Sequence, residues 1–130
     1  MDKKEVKQIN TNALAYLGDA VYEVAIRKYI METGQYNADR LHTIAVRYVR
    51  AEGQALAIKR IMGELTEEEQ SIVRRARNRK ITSKPRNVEP ITYKWATAFE
   101  AFVGYLHLIE EQERLDWFIN RAIEIINMGE

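Results

Sequence analysis

Two acids set inside apolar stretches are the residues best placed to do chemistry. Asp19 follows Gly18 in Leu14-Ala15-Tyr16-Leu17-Gly18-Asp19-Ala20-Val21, and Glu100 sits in Ala98-Phe99-Glu100-Ala101-Phe102-Val103-Gly104-Tyr105-Leu106. A carboxylate drawn among apolar side chains is costly unless it is paired or binds a cation. Each acid also lies within a turn or so of a glycine, a residue that costs ~1 kcal/mol relative to alanine inside a helix. An interior glycine is tolerated where another backbone or a ligand comes close. Gly18 and Gly104 therefore predict two helices crossing at a shared acidic site. Hard cations such as Mg²⁺ take oxygen ligands, commonly one or two carboxylates plus phosphate. Such an ion lowers the pKa of bound water and steadies charge on a phosphate in transit.

Other chemistries lack their residues. There is no cysteine, and His42 and His107, the only two histidines, stand in no triad or zinc spacing. Ser71 and Ser83 have no evident base. Metal-assisted hydrolysis is the chemistry these side chains support best. From residue types alone, Asp19 and Glu100 as solvated or ion-paired acids stay open. Glu23, one turn beyond Asp19, reads as a partner for Arg27 rather than an outer ligand.

The elements that must position the two acids read as helices throughout, about six of them, and the fold class is all-α. Residues 12–32 carry Leu14, Leu17, Val21 and Val24 at helical spacing, with caps available at Asn10 to Asn12 and a stop at Gly34. Residues 37–50 place Leu41, Ile44, Ala45 and Tyr48 on one face. Gly53 and Gly63 bracket a short helix with Leu56, Ile58 and Ile61. Thr66-Glu67-Glu68-Glu69 is a capping box opening a helix that ends near Arg79. Residues 80–91, with Pro85 and Pro90, read as a loop. Helices over 93–110 and 113–128 complete the chain, the last with Leu115, Phe118, Ile119, Ala122, Ile123 and Ile126 as its apolar stripe. The helices over 12–32 and 93–110 are apolar on nearly all sides, the mark of burial on several faces. No stretch alternates with period two.

At 130 residues, 1–130 reads as one domain large enough to bury a core. The opening residues have no signal-peptide core, and no apolar run reaches bilayer length. A cytoplasmic location without a membrane partner is expected. The net charge is only +1, but between residues 73 and 94 eight Lys or Arg face a single acid, Glu89. Acids gather instead at Glu67-Glu68-Glu69 and around Glu110, Glu111, Glu113 and Asp116. The basic end could face a polyanion.

The stretch 14–21 resembles the central motif of ribonuclease III catalytic domains, typically Leu-Glu-Phe-Leu-Gly-Asp-Ala-Val. The stretch 98–106 resembles the family's later Glu-Ala-Leu-Ile-Gly motif. The resemblance runs from about residue 10 to 128. The family usually carries a glutamate where Ala15 stands and an aspartate where Thr97 stands, and a double-stranded-RNA-binding domain usually follows. This combination, with Tyr16 and a basic segment from Arg77-Asn78-Arg79-Lys80 through Lys84-Pro85-Arg86-Asn87, is similar to the Mini-III branch. The resemblance implies a ribonuclease III-like endonuclease fold. It implies a homodimer using Mg²⁺, with Mn²⁺ as a substitute, to trim precursor 23S ribosomal RNA, helped by a large-subunit ribosomal protein. It carries the metal-binding and catalytic roles over to Asp19 and Glu100.

Without the two missing acids, metal binding in the free protein should be weaker and RNA phosphates should help assemble the site. A-form RNA is recognised mainly through shape, phosphates and 2′-hydroxyls, and basic side chains supply salt-sensitive affinity. The expected contacts are Arg74, Arg77, Lys80, Lys84 and Arg86 to phosphate, with Asn78 and Asn87 offering hydrogen bonds. Tyr22, Ile26, Tyr29 and Ile30 read as surplus apolar surface for a partner subunit. Two other readings remain at this point: a helical dimer that binds RNA without cutting it, and an adaptor whose basic loop docks an acidic protein.

Overall fold

The computed structural model describes residues 1–80 and 85–129. Among them are seven α-helices and no strand. In chain order they are α1 (Lys3–Lys7), α2 (Thr11–Glu32), α3 (Ala38–Val49), α4 (Ala51–Ile61), α5 (Glu67–Arg77), α6 (Pro90–Leu108) and α7 (Gln112–Gly129), with a 3-10 turn at Met62–Glu64.

Helix starts follow local chemistry. Asn10 accepts from the Ala13 amide at 2.9 Å and Asn37 from the Arg40 amide at 3.1 Å, each satisfying an amide that the helix leaves unbonded. The capping box is complete: Thr66 Oγ1 accepts from the Glu69 amide, and Glu69 Oε1 accepts from the Thr66 amide at 2.9 Å. Gly34, at φ +100°, takes the left-handed turn after α2.

The centre of the molecule is α6, which packs against α2, α4, α5 and α7. Its inner surface alternates small and large residues. Ala98, Ala101 and Gly104 let neighbours come near, while Phe99 and Phe102 are fully buried. Phe118 of α7 meets both rings, at 5.1 and 5.0 Å between centroids, and Tyr22 of α2 meets Phe99 edge-on at 4.8 Å. The Tyr22 hydroxyl donates to the Tyr48 carbonyl at 2.9 Å, which ties α2 to the end of α3.

The two mid-helix glycines do what their cost implied. A Cβ on Gly18 would collide with the backbone carbonyl of Glu100, and one on Gly104 with that of Leu14. Helices α2 and α6 therefore touch backbone to backbone, and no larger residue fits either position.

Several expectations need correction. Helix α1 was not anticipated; it is short, with a single buried apolar residue, Val6, and is capped by Asp2. On α2 the expected core stripe holds at Leu14, which is buried, but not beyond it. Tyr22, Ile26 and Ile30 form the core, whereas Val24 is 59% exposed and Leu17 and Val21 are only half-buried. Gly18 decides this, because it must face α6, and Tyr22, Ile26 and Ile30 follow it at four-residue steps on that face. Ile44 of α3 also turns outward. Gly53 lies inside α4 instead of before it, since a Cβ there would come within 2.8 Å of the Arg47 carbonyl at the α3–α4 corner. Helix α6 begins at Pro90, whose missing N–H costs nothing at the first helical position.

Candidate active site

The crossing at Gly18 and Gly104 brings Asp19 and Glu100 together. Asp19 projects from α2 as an exposed side chain, while Glu100 is half-buried on α6, and the two carboxyl groups are within hydrogen-bonding reach. Burial pushes the Glu100 carboxyl up to about 8, and the neighbouring Asp19 adds to the rise through a hydrogen bond and charge repulsion. Gln54 of α4 pulls the other way. It is 2% exposed, and its Nε2 donates to Glu100 Oε2 at 3.4 Å. Nothing in the sequence pointed to Gln54, because α4 reaches the pair only through the fold.

Both acids line a cleft of about 310 Å³ between α2, α6 and the end of α5. Thr11, Asn12, Ala15 and Tyr16 contribute one wall, and Tyr93, Lys94 and Thr97 another. Ala15 and Thr97 therefore sit beside the acid pair, where their small size leaves room. Arg79 and Lys80 close the cleft from the α5 side.

The other anticipated contact residues are distributed around this cleft. Lys80 lines it, but Arg74, Arg86 and Asn87 are exposed outside its lining. The Arg77 guanidinium lies over the Trp95 ring at 4.8 Å and donates from Nε to Asn78 Oδ1 at 3.0 Å, an arrangement that ties the end of α5 to α6. Lys84 lies outside the described residues. Arg79 and Lys94 were missed as cleft residues. Lys94 was legible in principle, since Lys94, Thr97 and Glu100 follow each other at three-residue steps on one helix face. Glu23 pairs with Arg27 at 3.6 Å, as its spacing indicated.

The donor set suits a hard divalent ion. Two carboxylates repel each other when both are ionised in a partly buried cleft, and a dication between them would relieve both the repulsion and the burial cost. Among the described residues no group of three or more His, Cys, Asp or Glu could hold a metal. A pair of carboxylates of this kind would leave coordination positions of a bound ion to water and phosphate.

Residues 12–110 match the ribonuclease III domain, and the chain belongs to that family. It is 44% identical over 123 residues to the Mini-ribonuclease 3 of Enterococcus faecalis, covering 93% of each chain. It is equally 44% identical over 117 residues to that of Symbiobacterium thermophilum, covering 90% of each. A crystal structure of a Fusobacterium nucleatum protein superposes with a TM-score of 0.80 at 38% identity, covering 90% of this chain and 93% of that one. Both motif stretches lie inside the matched region, and the all-helical architecture agrees with it.

Proposed function

We propose that this protein is an endoribonuclease that cuts double-stranded RNA by Mg²⁺-assisted phosphodiester hydrolysis, acting in maturation of the 23S ribosomal RNA precursor. The observation that carries the reading is the meeting of Asp19 and Glu100 in a cleft whose other charged lining residues, Arg79, Lys80 and Lys94, are cationic. Its relatives are named Mini-ribonuclease 3. A bound Mg²⁺ supplies a water of lowered pKa and stabilises charge on the phosphate, and Mn²⁺ serves as its substitute.

The chain's own residues do the rest. Asp19 and Glu100 hold the ion, Gln54 fixes which way the Glu100 carboxylate faces, and Ala15 and Thr97 keep the adjoining space open for a phosphate. Arg74, Arg77, Lys80, Lys84 and Arg86 supply the basic surface along the duplex, with Asn78 and Asn87 as hydrogen-bonding partners. With two fewer carboxylates than the wider family pattern, ion binding tightens when RNA phosphates complete the site. Equal Mg²⁺ affinities with and without RNA would contradict this.

The acting unit is a homodimer of one catalytic domain per chain. Support comes from exposed apolar surface on α2 and α3, where Val24 is 59% and Ile44 40% exposed, and from a groove in which Met31, Leu41, Ala45, Val46 and Val49 stand with Glu23, Arg27 and His42. A two-fold pair of sites matches a duplex that is itself nearly two-fold. A helper among the large-subunit ribosomal proteins rests on the family resemblance alone. The setting is the cytoplasm, where such RNA matures; none of the described helices is long and apolar enough to cross a membrane.

The test is cleavage of a long RNA duplex with Mg²⁺ by the wild type, Asp19→Asn and Glu100→Gln. Loss of an outer-sphere partner at a metal site costs roughly 10–100-fold, so each ligand substitution should cost more than that while leaving the helical fold intact. A wild type inactive on every duplex tried, yet binding them, would make this an RNA-binding protein only.

A further inference from the structure

The cleft beside the carboxylate pair holds more cations than acids. Lys94, Arg79 and Lys80 line it against Asp19 and Glu100. None of the three cations has an ion pair among the described residues. Some basic residues elsewhere are paired, Lys3 and Lys7 with Glu68, Arg114 with Glu69 and Arg121 with Glu64, and others stand singly on the surface; what distinguishes these three is that they share one cleft. Three unpaired cations gathered on one concave surface repel each other, and that repulsion is relieved by an anion.

Lys94 differs from the other two. Arg79 and Lys80 follow α5 as exposed side chains, whereas Lys94 is half-buried in the first turns of α6. It shares a helix face with Thr97 and Glu100, so its ammonium is carried by the same rigid element as the acid. Thr97 adds a hydroxyl between them. An ammonium on a fixed stem is a strong phosphate partner, acting as a point charge.

We infer that Lys94 takes a backbone phosphate of the RNA directly beside the Asp19–Glu100 pair, with Arg79 and Lys80 closing over it, so that the cleft binds RNA before any metal arrives. This rests on the reading of the cleft as the site of RNA cleavage. It goes beyond it by assigning the substrate's anchor to a residue outside the carboxylate motifs, and by placing RNA first in the binding order.

The test measures binding of a short blunt RNA duplex to the full-length protein in EDTA, between about 50 and 200 mM salt. Wild type should bind. Lys94→Met should weaken binding about ten-fold and lower the slope of log affinity against log salt by about one. Lys94→Arg should keep both near wild type, and Lys59→Met, on α4 away from the cleft, should change the slope no more than any remote surface charge. Should Lys94→Met melt early, acylation of the wild-type protein gives the same answer: duplex should shield Lys94 from an amine reagent and leave Lys59 reactive. Binding that needs Mg²⁺, a Lys94→Met slope equal to that of Lys59→Met, or an unshielded Lys94 would each overturn the inference. A protein that shows the Lys94 effect in EDTA but cuts no duplex with Mg²⁺ would sink the cleavage reading and leave the phosphate anchor standing.

Discussion

The Glu100 carboxyl stores the tension of the site. Its ordinary value is 4.5, and burial together with Asp19 lifts it to about 8 in the metal-free protein. The folded state therefore holds this proton more tightly than the unfolded chain does, and the stability this contributes is present below about 4.5 and lost as pH rises through about 8. Glu100→Gln cannot lose it. Without metal, Glu100→Gln should melt above wild type at pH near 9, by on the order of 1 kcal/mol or more, and the gap should close towards pH 5. Adding Mg²⁺ should stabilise wild type and not the variant; an unchanged gap with pH would refute the assignment. Gln54 is the other residue-scale test. Gln54→Leu removes the amide facing Glu100 and should weaken Mg²⁺ binding roughly 10–100-fold, seen in calorimetry as well as in cleavage, with Gln54→Asn partly retaining affinity.

Among the elements, the α2–α6 crossing carries the most consequence. Gly18→Ala and Gly104→Ala each push a methyl into a partner's backbone carbonyl, which cannot give way as a side chain could. Each should cost about 3 kcal/mol or more and spread the two acids apart, so activity should fall further than stability explains. Gly63→Ala is the contrast. A Cβ there meets nothing within 4 Å, and its gain should be about 0.4–1 kcal/mol. Denaturant melts of the three variants would decide this, and a benign Gly18→Ala would mean that the helices do not touch as described. The same crossing explains why hydropathy misassigned the faces of α2. Leu17, Val21 and Val24 are as apolar as Tyr22, Ile26 and Ile30, so the pattern offers two equivalent stripes. Only the need of Gly18 to face α6 chooses between them.

For the whole molecule, charge and exposed apolar surface define how it meets other molecules. The α5 helix opens with Glu67, Glu68 and Glu69 and closes with Arg74, Arg75 and Arg77, so its acidic end lies by α1 and its basic end at the cleft. Glu69 is tied down. Burial raises its carboxyl, but the hydrogen bonds from Arg114 at 2.8 and 2.9 Å and from the Thr66 amide outweigh this and hold it below the usual range. At the basic end Arg77 is held over Trp95 and Arg75 donates to the Lys7 carbonyl at 3.3 Å, while Arg74 is exposed. The partner surface expected at Tyr22, Ile26 and Ile30 is buried in the core, so in the proposed homodimer the exposed apolar residues of α2 would form the contact, and Val24→Asp should shift sedimentation from dimer to monomer while the helical signal stays unchanged. A wild type that already sediments as a monomer at micromolar concentration would remove the dimer.

What the sequence determined by itself was whatever depends on neighbours along the chain. Asn10, Asn37 and Thr66 cap the next turn through their own side chains, the Glu23–Arg27 pair needs only helical spacing, and the two motif stretches announce both acids and the glycines that let them meet. The rotation of α2, the arrival of Gln54 against Glu100 and the gathering of Arg79, Lys80 and Lys94 in one cleft were decided by tertiary structure. The physical reason is one of range: caps and helical pairs act within a turn, whereas these features depend on which backbones can approach each other, and that is set only once α6 is surrounded.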